Sequence, residues 1–263
     1  MSGLLKVLCF ALAVVALGAF AASCGSSNAQ YRVVNAIPNT TTFDAQGFAV
    51  YMNGASIWSN VAFTNTEPTS SGKYQSVSGG SDTLDVYPQS EAGQTGATPD
   101  ISSALNLGGG TQYTVVLAGN STATGATYPL AAHVITDANP TPTSGDAGLR
   151  ILAASLILPS VDIYVLPSSA TTCCAQYQNT SAEIATGLQY PQSAGTGNID
   201  SNYQNVGIPT GGGLTVWVTA HGNATALILK SSSYSLNAGQ NYTLVLTDAS
   251  GGGSPPQFIF LTP

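Results

Sequence analysis

The sequence predicts an all-β protein with two tandem antiparallel β-sandwich domains, Ig-like or transthyretin-like, after a signal peptide. Three segments recur at almost constant spacing: 73–77 matches 202–206, 84–87 matches 214–217, and 107–117 matches 236–246, with offsets of 129, 130 and 129 residues. This period far exceeds the roughly 20–50 residues of solenoid repeats and therefore indicates a duplicated domain. Short apolar segments separated by turn residues, with no sustained helical period after residue 24, are typical of β-sandwiches.

The N-terminus has the features of an export signal. Lys6 supplies the positive charge, and an uncharged apolar run covers residues 7–20. At about 1.5 Å per residue that run would span roughly 21 Å as a helix, less than the ~30 Å hydrocarbon core of a membrane. We therefore interpret residues 1–23 as a lipoprotein signal peptide and not as a membrane-spanning helix.

Cys24 is the candidate lipidation site. Residues 21–25 read Ala-Ala-Ser-Cys-Gly and resemble a bacterial lipobox, although Ala21 stands where leucine is usual. The alternative is ordinary signal cleavage after Ala21, which also satisfies the small-residue rule. Lipidation implies stable membrane anchoring by two or more acyl chains. Because Gly25, and not aspartate, follows the cysteine, the resemblance to lipoprotein sorting signals favours an exported, membrane-anchored protein at the outer membrane, facing the periplasm or the surface.

The predicted strands follow in order along both copies. Asn53-Gly54 directly after a strand is a two-residue hairpin signal. Residues 244–246 are apolar on both faces and predict a central strand. The expected strands are 31–37, 48–52, 56–63, 74–77, 83–87, 113–118 and 130–136 in the first copy, and 149–154, 161–166, 184–190, 203–206, 214–219, 226–229, 242–247 and 258–261 in the second.

These strands define the domain boundaries. We expect a short tether at 24–29, the first β-sandwich repeat at 30–137, a linker rich in Pro, Thr and Ser at 138–147, and the second repeat at 148–263. Each repeat is long enough to bury a modest core.

Charge and composition exclude several classes of partner. Charged residues make up only 6% of the chain, and removing Lys6 leaves four basic against twelve acidic residues. We therefore expect no nucleic-acid binding, because nothing would neutralise the phosphates. The apolar content of 43% argues against general disorder.

Residues 150–165 carry a family resemblance. They are similar to the signature of the bacterial "domain of unknown function 4397" family, and residues 32–39 with 48–54 repeat it around a short insertion. Where the family has a histidine, this chain has Asn35 and Ala153, and where it has an aspartate after proline, this chain has Asn39 and Ile157. The resemblance implies a secreted or lipid-anchored β-sandwich and no reaction.

Candidate catalytic and metal-binding groups are sparse. His133 lies in an apolar strand and His221 in a turn at a strand end, which are structural positions, and neither has a histidine or cysteine partner nearby in sequence. We predict no catalytic residues, no cofactor and no metal. Asp85 and Asp162 lie within strands, where each either faces solvent or forms a buried hydrogen-bonded pair with an arginine. For Asp162 the candidate partner is Arg150, across a hairpin, because arginine matches carboxylates well. Aspartates lie in or near loops without the spacing of a calcium loop, at positions 100, 137, 146, 200 and 248.

Cys173 and Cys174 are adjacent. Three interpretations stay open: a vicinal disulfide in an exposed loop, free or mixed thiols, and a metal site, the last lacking the usual ligand spacing. We give the vicinal disulfide as the prediction.

The aromatic residues suggest one further possibility. A platform of exposed rings beside Asn and Gln would suit sugar stacking, whereas strand positions favour core packing. The candidates are Tyr51, Trp58, Tyr74, Tyr87, Tyr113, Tyr203, Trp217 and Tyr242.

The sequence thus predicts a lipid-anchored envelope protein, not an enzyme, with a structural, adhesion or protein-interaction role. A carbohydrate-binding module is the alternative, and an uncharacterised hydrolase is the third hypothesis. The expected partners are the membrane, through the lipid, and an envelope protein or a glycan.

Overall fold

The computed structural model describes residues 28–38, 47–69, 74–120, 128–190, 202–210 and 213–262. Strands are almost the only regular secondary structure in these residues, which confirms the predicted all-β fold class; one 3₁₀ helix, Ala175–Tyr177, lies among them. They contain no helix with the length and apolarity that a membrane crossing requires. The signal peptide and Cys24 lie outside the described residues.

We call residues 28–137 the first half and residues 146–262 the second half. The strands of the first half are β1 (Asn28–Asn35), β2 (Phe48–Met52), β3 (Ala55–Val61), β4 (Thr66–Glu67), β5 (Gln75–Ser78), β6 (Gly80–Pro88), β7 (Ile101–Leu107), β8 (Gln112–Ala118) and β9 (Ala131–Thr136). Those of the second half are β10 (Asp146–Ala153), β11 (Val161–Pro167), β12 (Glu183–Leu188), β13 (Gln204–Gly207), β14 (Leu214–Ala220), β15 (Asn223–Lys230), β16 (Asn241–Ala249) and β17 (Gly253–Leu261).

Each half forms two sheets. The first half has the order β4-β1-β8-β9, with β5 also on β1, and the order β3-β2-β6-β7. The second half has β13-β10-β16-β17 and β12-β11-β14-β15. We call the sheets that contain β1 and β10 the inner sheets, and the other two the outer sheets.

One strand pair in each half is parallel. β1 runs parallel to β8 and β10 runs parallel to β16, whereas the other pairs are antiparallel. Parallel neighbours need a crossover connection, and here the chain passes through the outer sheet between them. The sequence analysis predicted antiparallel sheets and did not anticipate the parallel pair in each half.

Alternation along the strands builds a sandwich core in each half. Val33 and Val115 of the inner sheet pack with Val50 and Val86 of the outer sheet in the first core. In the second core, Leu149 and Ile151 of the inner sheet pack with Ile163 and Val216 of the outer sheet. The predicted hairpin turn is confirmed, since Asn53 and Gly54 both have positive φ between β2 and β3.

The two inner sheets also bury their opposite faces against each other. We call this interface the seam; it contains Val34, Ala36, Val116, Ala118 and Ile135 from the first half and Leu152, Ala154, Tyr190, Val245, Ile259 and Leu261 from the second. β16 is consequently buried on both faces, which confirms the central strand predicted at 244–246. The seam turns two sandwiches into one packed body.

Several element boundaries differ from the sequence predictions. The sequence analysis missed β4 and β7, both on the first half. β1 begins at Asn28, inside the expected tether, and β10 begins at Asp146, inside the expected linker. The domain boundaries themselves stay a prediction.

Candidate functional site: a buried charge cluster and groove at the seam

Three charged side chains meet inside the seam. Arg32 lies on β1 and Arg150 on β10, and both are at most 3% exposed. Asp137 follows β9 and is also buried. Their placement follows from strand alternation: the neighbours of each arginine enter a sandwich core, so the arginine itself faces the seam.

The two arginines are held in matching ways. Arg32 Nε donates to the Thr114 hydroxyl at 2.9 Å, and Arg150 Nε donates to the Thr243 hydroxyl at 3.1 Å. Each arginine also uses Nη1 to reach a carbonyl of the other half. Arg150 donates to the Thr136 carbonyl at 3.2 Å, and Arg32 donates to the Thr262 carbonyl at 3.1 Å.

A tyrosine covers each guanidinium. The Arg32 guanidinium lies 5.0 Å from the ring centroid of Tyr74, and that of Arg150 lies 4.7 Å from the ring centroid of Tyr203. Burial raises the pKa of both phenols. At Tyr74, Arg32 acts to lower the pKa and Asp137 to raise it, with the net shift upward. Both rings therefore stay neutral and stabilise the adjacent cations through cation–π contact.

Asp137 is the anion of this cluster, and the described residues of the second half offer no counterpart to it. Its Oδ1 accepts a short hydrogen bond from Arg150 Nη2. Its Oδ2 accepts hydrogen bonds from the Tyr74 and Thr114 hydroxyls, both at 2.7 Å. Arg32 Nη2 lies 3.8 Å from the same oxygen, beyond hydrogen-bond distance. Among the described residues, Asp137 is thus the carboxylate that both arginines approach, and Arg150 hydrogen-bonds to it.

A groove opens beside Arg32. A cavity of about 240 Å³ is lined by Arg32, Thr66 and Thr69 of the first half and by Phe260 and Thr262 of the second. A larger cavity of about 490 Å³, lined by residues of the second half, has Phe260 and Thr262 in common with it and includes Asn237 and Gln240. We call the two cavities together the seam groove.

An aromatic stack forms part of the groove wall. The ring of Phe260 is nearly parallel to that of Tyr242, at 9° and 5.5 Å between centroids, and lies 4.9 Å from that of Tyr234. Phe260 is half-buried, so part of its ring contributes apolar surface to the groove. The groove therefore combines an aromatic side, amide side chains and one buried cation.

The predicted pairing of Asp162 with Arg150 is wrong. Asp162 instead accepts hydrogen bonds from His221 Nδ1 at 2.6 Å and from the Gly187 and Gly222 amides, both at 2.9 Å. Val161 and Ile163 point into the second core, so Asp162 faces outward from the outer sheet, on the far side of that core from Arg150.

The environment of Asp162 lowers its pKa. Burial acts to raise the pKa of this carboxyl, but the hydrogen bonds from His221, Gly187 and Gly222 and the charge of His221 outweigh burial. His221 is half exposed and makes no ring hydrogen bond to a hydroxyl among the described residues. The described residues therefore do not assemble a Ser-His-Asp arrangement around His221.

His133 occupies the structural position that the sequence predicted. It is half-buried on β9, and its Nε2 lies 2.9 Å from the Tyr190 hydroxyl of the second half. Burial lowers the pKa of this histidine. It belongs to the edge of the seam and not to the groove.

Cys173 and Cys174 lie in a different environment from the one predicted. The structure joins their sulfurs. The expectation of an exposed loop is wrong for Cys174, which is fully buried against Tyr164, Leu166 and Trp217 on the outer face of the outer sheet. The redox state of the pair in solution stays a prediction, as does the absence of a metal; the described residues bring no three potential metal ligands together.

Sequence reasoning did not find the charge cluster. Tyr74 and Tyr203 were candidates for an exposed platform, and Asp137 for a loop, but the structure buries Asp137 and covers the arginines with the two tyrosines. Other platform candidates, namely Tyr113, Trp217 and Tyr242, are also buried. One feature of the sequence could have indicated the cluster: Arg32 and Arg150, two of the few basic residues, occupy the same position on matching apolar strands.

The sequence profile of the family "Domain of unknown function (DUF4397)" matches residues 29–164, which is more than half of the chain. The protein therefore belongs to this family, as the resemblance in the sequence indicated. Among curated proteins, none matches the chain significantly.

Solved structures with a related arrangement share little sequence with this chain. Family 41 carbohydrate-binding modules from streptococcal virulence factors are 10% identical, with 88% of this chain and 96% of theirs covered at a TM-score of 0.26. A family 26 carbohydrate-binding module from Eubacterium rectale in complex with maltoheptaose is 9% identical, with 89% and 97% covered and a TM-score of 0.24. A candidate cell adhesion protein from Bacteroides fragilis is 10% identical, with 89% and 97% covered and a TM-score of 0.22. At these scores the likenesses carry no argument about function.

Proposed function

We propose that this protein is an exported, lipid-anchored envelope protein, built by tandem duplication, that binds its ligand in the seam groove without catalysis. The lipobox-like residues 21–25 support the anchor, and Cys24 is the residue that would carry the lipid. The repeated segments and the matching strand orders of the two halves support the duplication.

The observation that carries the binding function is the seam groove. Its smaller cavity is formed by both halves and includes Arg32 and Phe260. Its larger cavity places Phe260 and Tyr242 beside Asn237 and Gln240. Ligand sites commonly combine apolar surface with a few convergent polar groups. Formation by both halves also explains why a duplicated protein would keep its copies packed together.

Of the two ligand classes suggested by the sequence, the groove favours a glycan. Sugar rings present an apolar face to aromatic side chains and hydroxyl groups to amides. A protein partner would instead favour a broad exposed apolar patch. Among the described residues, the large exposed apolar side chains are only Val134, Ile157 and Leu227, on three separate segments.

Catalysis has less support. Within the described part of the chain, His221 and Asp162 form a pair without a hydroxyl nucleophile bonded to the histidine, and neither cavity of the seam groove includes them. The pair instead joins the turn after β14 to the start of β11.

Two experiments test this function. The mature protein, applied to an array of envelope and plant glycans, should bind a subset of them, and Phe260→Ala should reduce that binding at least tenfold. Val134→Ala is the matched control, because Val134 lies at the corresponding register position of β9, and it should leave binding unchanged. Capture of an envelope protein with no glycan binding would contradict the glycan assignment.

Anchoring is tested separately. Cys24→Ala should move the protein from the membrane fraction to the soluble exported fraction. An unmodified mature N-terminus at Ala22 in the wild-type protein, seen by mass spectrometry, would show ordinary cleavage instead.

A further inference from the structure

We propose that the outer sheet of the first half binds a lysine-bearing segment of a partner protein on the face that points away from the sandwich core. We call this surface the tyrosine face and define it by Tyr51 of β2 and by Asp85 and Tyr87 of β6. The surface is distinct from the seam groove: none of these three residues lines either of its cavities, and binding here does not require a glycan there.

Strand alternation turns the two tyrosines outward. Val50 of β2 and Leu84 and Val86 of β6 enter the first core, so the neighbouring Tyr51 and Tyr87 point away from it. The two rings meet edge to face, with 5.2 Å between centroids and 73° between planes. Both residues are only partly buried, so the pair presents aromatic surface to the solvent.

The second half shows how the corresponding face is filled. Its outer sheet has the same strand order, with β11 and β14 in the places of β2 and β6. Tyr164 and Trp217 lie on the outward face there and are buried beneath the segment between β11 and β12. The Lys230 ammonium lies 4.2 Å from the ring centroid of Trp217 and donates to the Ala170 carbonyl of that segment at 3.2 Å. A chain segment and a lysine over an aromatic ring thus cover this face.

The first half has no such cover among the described residues. The connection that corresponds to the covering segment is the two-residue turn Asn53-Gly54, which is too short to cross the sheet. The longer connection, residues 89–100, approaches the Tyr51 hydroxyl at Gly93 but leaves both rings partly exposed. The tyrosine face is therefore the open counterpart of the covered face of the second half.

Carboxylates surround the tyrosine pair. Asp85 lies opposite Tyr51 in the strand register, and the Asp100 amide donates at 2.9 Å to the carbonyl of Val86, next to Tyr87. Burial, and after it the charge of Glu91, raises the pKa of Asp100. Glu91 and Asp100 are therefore close enough to repel each other, and a bound cation would relieve this repulsion.

The charge of the first half favours a cationic partner. Among its described residues the only lysine or arginine is Arg32, which is buried in the seam. The tyrosine face therefore has acidic groups and no exposed basic side chain to neutralise them in the described part of this half. Complementary charge guides partners to such a surface, and an ammonium group also gains cation–π contact with tyrosine rings. Lysine satisfies both requirements, as Lys230 does on Trp217.

Calorimetry at low salt tests the proposal on the mature protein. The probe is a tetralysine peptide with blocked termini, and the comparison peptide carries four Nε-acetyl-lysines. We expect tetralysine to bind at least tenfold more tightly, because acetylation removes the charge. Tyr87→Leu and Asp100→Asn should each weaken tetralysine binding at least threefold. Glu67→Gln removes the same charge from β4 on the inner sheet, so it is the matched control and should leave the affinity unchanged.

Other results would overturn the proposal in distinguishable ways. Equal affinity for the two peptides would remove the requirement for an ammonium group. Equal weakening by Glu67→Gln and Asp100→Asn would show attraction to the overall acidic charge and no defined surface. Spermine that binds as tightly as tetralysine would assign the face to free polyamines instead of a protein. If Tyr87→Leu fails to fold, Asp85→Asn replaces it, and unchanged tetralysine binding by that variant would contradict the proposal.

Discussion

At the scale of single residues, Arg32 and Arg150 occupy matching positions but have different surroundings. Arg150 holds the shared Asp137 carboxylate, whereas Arg32 lies beyond hydrogen-bond distance from it. Removing one partner of a buried ion pair leaves an uncompensated charge, so a substitution of Arg150 acts directly on Asp137. A substitution of Arg32 instead removes its hydrogen bonds to Thr114 and Thr262. The same substitution at the two positions should therefore have different consequences.

We predict that Arg150→Gln lowers the free energy of unfolding by about 3–5 kcal/mol, because Asp137 stays buried without its closest cation. Arg32→Gln should cost less, about 1–2 kcal/mol, since it removes the hydrogen bonds to Thr114 and Thr262 but leaves the Arg150–Asp137 pair in place. Urea denaturation of both variants measures the difference. An equal decrease in the free energy of unfolding for the two variants would show that both arginines stabilise Asp137 to the same extent.

Asp162 gives a prediction about acid stability. Its pKa in the folded protein is lower than usual, so folding favours the ionised carboxylate. The stabilisation is complete above its pKa in the unfolded chain, about 3.9, and is lost as the pH falls through the lower folded value. Unfolding midpoints measured from pH 6 to pH 2.5 should fall more steeply in the wild type than in Asp162→Asn. Parallel curves would refute this role.

At the scale of elements, the segment between β11 and β12 covers the outer sheet of the second half. Both cysteines belong to this segment; Cys174 is fully buried between the segment and the sheet, whereas Cys173 is only partly buried. The Cys174 amide also donates to the Ala224 carbonyl of β15 at 3.3 Å. This segment is thus packed against the sheet as a layer and is not a free loop tip.

Either cysteine substitution removes the disulfide, so the difference between them reports burial alone. Cys174→Ser should cost about 1–3 kcal/mol, because it places a hydroxyl among apolar side chains. Cys173→Ser should cost clearly less, and Thr171→Ser, on the exposed part of the segment, is the control. Chemical denaturation measures the free energy of unfolding of the three variants. An equal decrease for both cysteine variants would show that the two side chains are buried to the same extent.

Much of the strand pattern could be predicted from the sequence, but the cluster could not. Alternation and turn residues identify most strands, and the apolar run at 244–246 correctly indicated burial on both faces. The sequence does not show what covers the second face. The predicted pairing of Arg150 with Asp162 was wrong because it relied on the short distance between the two residues along the chain. It did not consider which face of its strand each side chain occupies. These two side chains lie on opposite sides of a core layer that Ile151 and Ile163 fill.

The seam groove could not be predicted either, because the sequence does not show how the two inner sheets pack against each other. Phe260 and Arg32 are 228 positions apart in the chain, and only the docking of the inner sheets brings them to one cavity. Strand periodicity within each half carries no signal for that docking. The position shared by Arg32 and Arg150 on matching strands was the one available clue.

At the scale of the whole molecule, the seam should make the two halves fold as one unit. It buries apolar side chains from both inner sheets, and Arg150 of the second half depends on Asp137 of the first. The Thr247 hydroxyl also donates to the Ala36 carbonyl across the seam at 2.9 Å. A separated half would expose this apolar face and leave buried charges without partners.

The chain offers a direct test, since it contains two tryptophans, Trp58 in the first half and Trp217 in the second. Trp217→Phe leaves a fluorescence probe in the first half, and Trp58→Phe leaves one in the second. After correction for each substitution's own cost, we predict that urea unfolding of both variants gives single transitions with the same midpoint. Adding Arg150→Gln should lower both midpoints together. Two separated midpoints, with Arg150→Gln shifting only the Trp217 signal, would contradict a seam that unites the halves around Asp137.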